Sequence, residues 1–142
     1  MGKYFFLLVV CFTGNFLFAP AKASIPAETI ANPIKKIAKE IAKSNVYEIS
    51  TTTAYRGTPS QQSARYKQLL QIASVDDLTE LATKNKNAVV RLYAFNGLVN
   101  KLKEVPKDIV DQFRNDTTTI KVLKGDITND VPLNKIASGL LY

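Results

Sequence analysis

From Asn87 to Lys103 the chain reads NAVVRLYAFNGLVNKLK, and its apolar residues recur at helical spacing. Ala88, Leu92, Phe95, Val99 and Leu102 form one row, and Val90, Ala94, Gly97 and Leu98 form a second beside it. Only Asn96, Asn100 and Lys103 interrupt these rows with a polar strip. A strip so thin does not suit a helix lying on a surface, so the pattern predicts a central helix covered on at least two sides.

The same reading places shorter helices around it. Asn32-Pro33 is a cap followed by proline at the first helical position. Behind it Ile34, Ile37, Ala38, Ile41 and Ala42 make an apolar stripe, with Lys35, Lys36, Lys39 and Lys43 crowding the other sides. The helical period is lost from Ser44 to Ser60, which reads as an extended connecting loop. Thr58-Pro59 repeats the cap-and-proline start for a helix over Ser60 to Ala73. Ser74 with Asp77 makes a capping box that opens a short helix with Leu78, Leu81 and Ala82 on its buried side. The polar turn Asn85-Lys86-Asn87 then folds it antiparallel to the central helix. Pro106 starts a helix over Lys107 to Asn115, and Pro132 another carrying Leu133, Ile136, Ala137 and Leu140.

Setting residues 85–93 against 115–123 aligns Val90, Arg91 and Leu92 with Ile120, Lys121 and Val122, and a short apolar helix precedes each copy. This constant offset suggests a repeated helical hairpin. Three threonines and Gly125 weaken the second copy, which reads as one or two turns or as extended chain. The segment VDDLTELATKNKNAVVRLYAFNGLVNK, with its Asn-rich turn and V-V-R-x-x-A-x-x-G-L pattern, resembles a HEAT-type hairpin. Together with AYRGTPSQQSARYKQLL before it and NDTTTIKVLKGDI after it, the segment resembles small secreted bacterial proteins with HEAT-like repeats. Asn85 and Asn87 stand around Lys86 where that family carries an aspartate near the turn. The resemblance implies an all-α fold: a short HEAT-like helical hairpin repeat, an α-α superhelix of about five helices following a signal peptide. In such repeats a cation at the place of Arg91 bonds to a carboxylate or carbonyl of the next hairpin, and Lys121 at the matching position extends that structural ladder.

The N-terminus adds an address. Lys3 precedes an apolar run from Tyr4 to Phe18, and Ala21-Lys22-Ala23 follows as a small-x-small cleavage pattern. Thr13, Gly14 and Asn15 interrupt the run, which falls short of the roughly 20 apolar residues of a spanning helix. The expectation is a signal peptide over 1–23, a lead-in over 24–31, one helical domain over 32–142, and a secreted or periplasmic protein. A lipoprotein processed at Cys11 would need a small residue where Val10 stands. Cleavage after Ala23 removes Cys11, the one cysteine, and leaves a domain without thiol or imidazole. The 19 basic residues less Lys3 and Lys22 leave 17 against 12 acidic ones, a mild excess of positive charge.

These absences exclude several chemistries for the mature chain. Cysteine nucleophiles, serine–histidine pairs and the usual zinc sites all lack their residues. Asp76 and Asp77 are adjacent carboxylates, but their place at a helix start is explained by capping and the helix dipole. No cofactor or metal ligand set is legible, and no enzyme activity is expected. Asn115-Asp116-Thr117 fits an N-glycosylation sequon, and Asp116-Thr117-Thr118 resembles a bacterial O-glycosylation site. Tyr55 and Arg56 at the tip of the connecting loop are a candidate ligand-binding pair. The function expected is an exported, non-catalytic module that binds another envelope or secreted protein through a helical-repeat face, with no nucleic-acid partner. The alternative is an envelope-surface module whose Lys35, Lys36, Lys39 and Lys43 meet anionic lipid or polymer.

Overall fold

A computed structural model describes residues 32–49, 52–53 and 58–142. Six helices and a three-stranded sheet make up most of it: α1 (Pro33–Ser44), β1 (Val46–Glu48), β2 (Thr52–Thr53), β3 (Thr58–Pro59), α2 (Gln61–Ile72), α3 (Val75–Lys84), α4 (Ala88–Lys101), α5 (Lys107–Asn115), β4 (Thr119–Lys124), β5 (Ile127–Pro132) and α6 (Leu133–Leu140). The signal peptide and lead-in expected over 1–31 lie outside the described residues, as do Tyr55 and Arg56.

Local chemistry accounts for the helix starts. Asn32 caps α1 by accepting a hydrogen bond from the Ile34 amide, and Asn87 caps α4 through the Val90 amide. At α3 the Ser74 hydroxyl accepts from the Asp77 amide while the Asp77 carboxylate accepts from the Ser74 amide. The cap of α2 is Ser60, which accepts from the Ser63 amide, and not Thr58, because Thr58–Pro59 is spent as β3 pairing with β2.

The core forms where α4 meets its neighbours. Val89, Val90, Leu92, Tyr93, Ala94, Phe95, Gly97 and Leu98 are buried, so nearly the whole circumference of α4 is covered. Each large apolar side chain there is worth about 1.5–3 kcal/mol. Phe95 stacks on Phe113 of α5 with ring centroids 4.2 Å apart. Gly97 lets α3 approach closely, since a Cβ built there would lie 3.1 Å from both Leu78 methyls. The stripe of α1 packs toward α2 and α4, with Ala38 and Ile41 buried.

The all-α, HEAT-like expectation is overturned by the sheet. Its order is β1-β4-β5, with β1 parallel to β4 and β4 antiparallel to β5, so the molecule is a small α/β fold. The second copy of the expected repeat is β4. Ile120, Lys121 and Val122 therefore lie on a strand, while Val90, Arg91 and Leu92 lie on a helix. The cause is local. The run TTTIKVLK favours a pleated strand through its β-branched residues and alternation. Gly125-Asp126 closes a two-residue hairpin between the paired Lys124 and Ile127, with Gly125 at φ 62°. The stretch expected to be a connecting loop also carries β1, paired with Lys121 to Leu123. Tyr47, Ile120 and Val122 face inward, and Lys121 faces out.

Arg91 and Lys121 accordingly do not form one ladder. The Arg91 guanidinium donates to Asp116 Oδ2 at 2.6 Å and to the carbonyls of Asn85 and Lys86 at 3.2 and 3.3 Å. It ties the α3–α4 turn to the segment between α5 and β4. Lys121 instead meets Asp130 across the β4–β5 hairpin at 3.4 Å, with both side chains mostly exposed.

Candidate functional site

β1 is only three residues long and lies at one edge of the sheet, so the backbone groups on its outer side need partners from elsewhere. Side chains supply them. The Glu48 amide donates to the Tyr93 hydroxyl oxygen at 2.9 Å. The Gln62 amide nitrogen donates to the Val46 carbonyl at 2.9 Å, and the Gln62 oxygen accepts from Arg65 at 2.9 Å. Gln62 is itself fully buried. The edge is thereby closed against pairing with another strand, and α2 and α4 are fixed against β1.

That arrangement gathers three tyrosines from three elements. Tyr93 of α4 lies between Tyr47 of β1, at a ring-centroid distance of 4.7 Å, and Tyr66 of α2, at 5.2 Å. The polar strip of α4 serves their hydroxyls. Asn96 donates to Tyr47 Oη and Asn100 to Tyr66 Oη, both at 3.0 Å, and Asn100 also donates to the Asn96 carbonyl at 2.7 Å. Beside the rings a cleft of about 390 Å³ opens between β1, α2, α4 and α6. Ile136 and Leu140 of α6 line its apolar side, and Lys135 brings a cation to it.

Burial dominates the electrostatics of the cleft. Burial pushes the Tyr47 hydroxyl up to about 12, against the opposing bond from Asn96. Burial likewise raises Tyr66 and Tyr93 well above the ordinary tyrosine value. All three hydroxyls therefore stay protonated at physiological pH and act as hydrogen-bonding groups. Glu48 differs from them. Its Oε2 is buried without a hydrogen-bond partner among the described residues. Burial raises its carboxyl above the usual range, while the Arg65 charge pulls it back.

A second groove, of about 400 Å³, runs between α1 and α3 over Ala38, Ala42 and Leu81. Its rim charges are exposed, apart from Asp77, which the capping box already engages. We read it as the ordinary seam between two helices. The bonds from Ser74 hold the Asp77 carboxyl below its ordinary value, and Asp76 is exposed at the same helix start.

Lys35, Lys36, Lys39 and Lys43 are all exposed on α1. Lys35 and Lys39 stand on the α1–α3 rim, and Lys36 lies near Glu40 and Arg65. Asn115 and Thr117 of the glycosylation patterns are exposed, while Asp116 between them is held by Arg91. The structure thus brings Tyr47, Glu48, Tyr66, Tyr93 and Lys135 around one cleft, and sequence reading singled out none of them as a site. Their positions share no spacing or motif. The one available signal was the polar strip at Asn96 and Asn100, which needs partners if its helix is buried.

No family model matches the chain, and comparison with curated proteins and with solved structures returns no significant match.

Proposed function

We propose that this protein is an exported, non-catalytic binding module that engages another envelope or secreted protein, with the tyrosine-lined cleft as the contact site. One observation carries the reading: a preformed cleft is lined by protonated tyrosines, two of them held by asparagine amides, next to a buried carboxylate oxygen without a partner among the described residues. Tyr66, the least buried of the three, suits such a surface, because a tyrosine combines apolar contact area with a polar tip and loses little rotamer freedom on binding. The helical-repeat face first expected to serve this purpose is not part of the fold. Export rests on the N-terminal pattern alone.

Photo-crosslinking in the native envelope tests the proposal. A crosslinking residue at Ile136, inside the cleft, is expected to give a discrete protein adduct, and one at Gln71 on the exposed end of α2 is not. Adducts from Gln71 alone, or from neither position, would count against the cleft.

A second reading has its own observation: none of the four α1 lysines forms an ion pair among the described residues. Co-sedimentation with anionic vesicles or peptidoglycan that fades at high salt and is lost when all four become glutamine would favour it.

A further inference from the structure

The proposed contact can be narrowed to a chemical class by asking what would satisfy Glu48. Its Oε2 is an acceptor removed from water with no donor among the described residues. An ionised carboxylate in that state is costly unless a cation or strong donor reaches it. The nearby protein cation is committed elsewhere. Arg65 donates through one terminal nitrogen to Gln62 at 2.9 Å, and its other lies 3.6 Å from Glu40 and 3.4 Å from Gln61. Lys135 lines the same cleft but is exposed and forms no ion pair among the described residues.

The walls point the same way. Aromatic rings attract cations through their negative faces, and the half-buried Tyr66 lines the cleft together with Glu48. Opposite them, Ile136 and Leu140 offer apolar surface of the kind that accommodates the methylene stem of a long basic side chain. A neutral sugar or amide would satisfy the acceptor but not the charge, and an anion would be repelled by it.

We propose that the cleft receives a lysine or arginine side chain of the protein partner, its ammonium or guanidinium meeting the Glu48 carboxylate and its stem lying between Tyr66 and α6. The inference rests on the cleft being the contact site.

Small analogues test it on the full mature chain. N-acetyl-lysine methylamide and N-acetyl-arginine methylamide are titrated while amide chemical shifts are followed, with N-acetyl-norleucine methylamide as the uncharged control. A probe of this size is expected to bind with a dissociation constant on the order of 1 mM. The shifts should centre on Tyr47, Glu48 and Ile136, and norleucine should leave them unmoved. Glu48→Gln, which keeps the shape of the side chain, should weaken the cationic probes about tenfold. Lys135→Gln removes a competing positive charge at an exposed position and should tighten them about two- to threefold.

Binding should also weaken as pH falls and Glu48 is protonated. The charged or titratable groups around Glu48 are Arg65 and Tyr66 of α2, Tyr93 of α4, Lys135 of α6 and Tyr47 of its own strand. The tyrosines stay neutral over that range. No shifts with either cation up to about 20 mM, roughly twentyfold the expected constant, would overturn the inference, as would equal binding of norleucine or no effect of Glu48→Gln. If Ile136 still crosslinks to a partner while the cationic probes fail, the cation assignment falls and the contact site stands. If the crosslink itself is absent, both fall.

Discussion

Changing Asp116 to Asn puts a number on the link between the α3–α4 turn and the start of the sheet. Asp116 Oδ2 lies 2.6 Å from the Arg91 guanidinium, and the two side chains are 17% and 15% exposed. The pair is therefore neither a surface ion pair, worth about 0–1 kcal/mol, nor a fully buried one, whose breakage costs about 3–5 kcal/mol. Asn at 116 keeps an oxygen for the Thr118 amide, which now donates to Asp116 Oδ1 at 2.9 Å, and replaces the oxygen that accepts from Arg91 with an uncharged amide nitrogen. Arg91 would retain its two carbonyl partners, so its cation would not be stranded. Charge-assisted hydrogen bonds contribute about 1.5–3 kcal/mol, and a loss of about 2 kcal/mol is expected. At about 3–5 °C per kcal/mol for a chain of this length, Tm should fall by about 6–10 °C.

Urea denaturation of the wild type, Asp116→Asn, Arg91→Met and the double variant isolates the pair, with a coupling of about 1–2 kcal/mol expected. Burial raises the Asp116 carboxyl, but the bonds from Thr118 and Arg91 and the Arg91 charge together hold it below its ordinary value. A group depressed in the folded state contributes stability above its unfolded pKa, and that contribution is lost as pH falls through the folded value. The gap between wild type and variant should thus be constant from about pH 5 to 8 and close below about pH 4. A cost under about 0.5 kcal/mol, or no coupling in the cycle, would refute the reasoning, since it would give the pair only the worth of an exposed one.

Further outcomes follow from single contacts. Tyr93→Phe keeps the ring between Tyr47 and Tyr66 but removes the acceptor for the Glu48 amide; it should cost about 1–2 kcal/mol in urea denaturation and speed exchange of that amide. Gly125→Ala puts a side chain at φ 62° and should cost about 1–2 kcal/mol, with Gly125→Asn milder. Glu48→Gln should behave oppositely to Asp116→Asn. A carboxyl raised in the folded state contributes most below its unfolded pKa and loses that contribution as pH rises through the folded value. The variant's Tm should therefore match or exceed the wild type's at pH 7 and lose that advantage near pH 4. A Glu48→Gln protein less stable at pH 7 would mean that the carboxylate already has a partner.

Sequence alone determined the helices, because their signals are local. Asn32, Ser74 and Asn87 each bond to an amide two or three residues ahead, and the apolar rows of α4 need no distant partner to be recognised. It also carried the β4–β5 hairpin in Gly125-Asp126 after the alternating β4, a signal the helical repeat concealed, because Val90-Arg91-Leu92 and Ile120-Lys121-Val122 are alike in type. Only tertiary structure decided β1. Three residues cannot specify a strand by themselves, and Val46-Tyr47-Glu48 becomes one by pairing with Lys121 to Leu123, far along the chain, and by the capping of its outer edge by Tyr93 and Gln62. The cleft depends on that pairing. Tyr47, Tyr66 and Tyr93 come from a strand and two helices that meet only after α4 has been buried, and burial, which no local pattern encodes, leaves Glu48 Oε2 without a partner among the described residues.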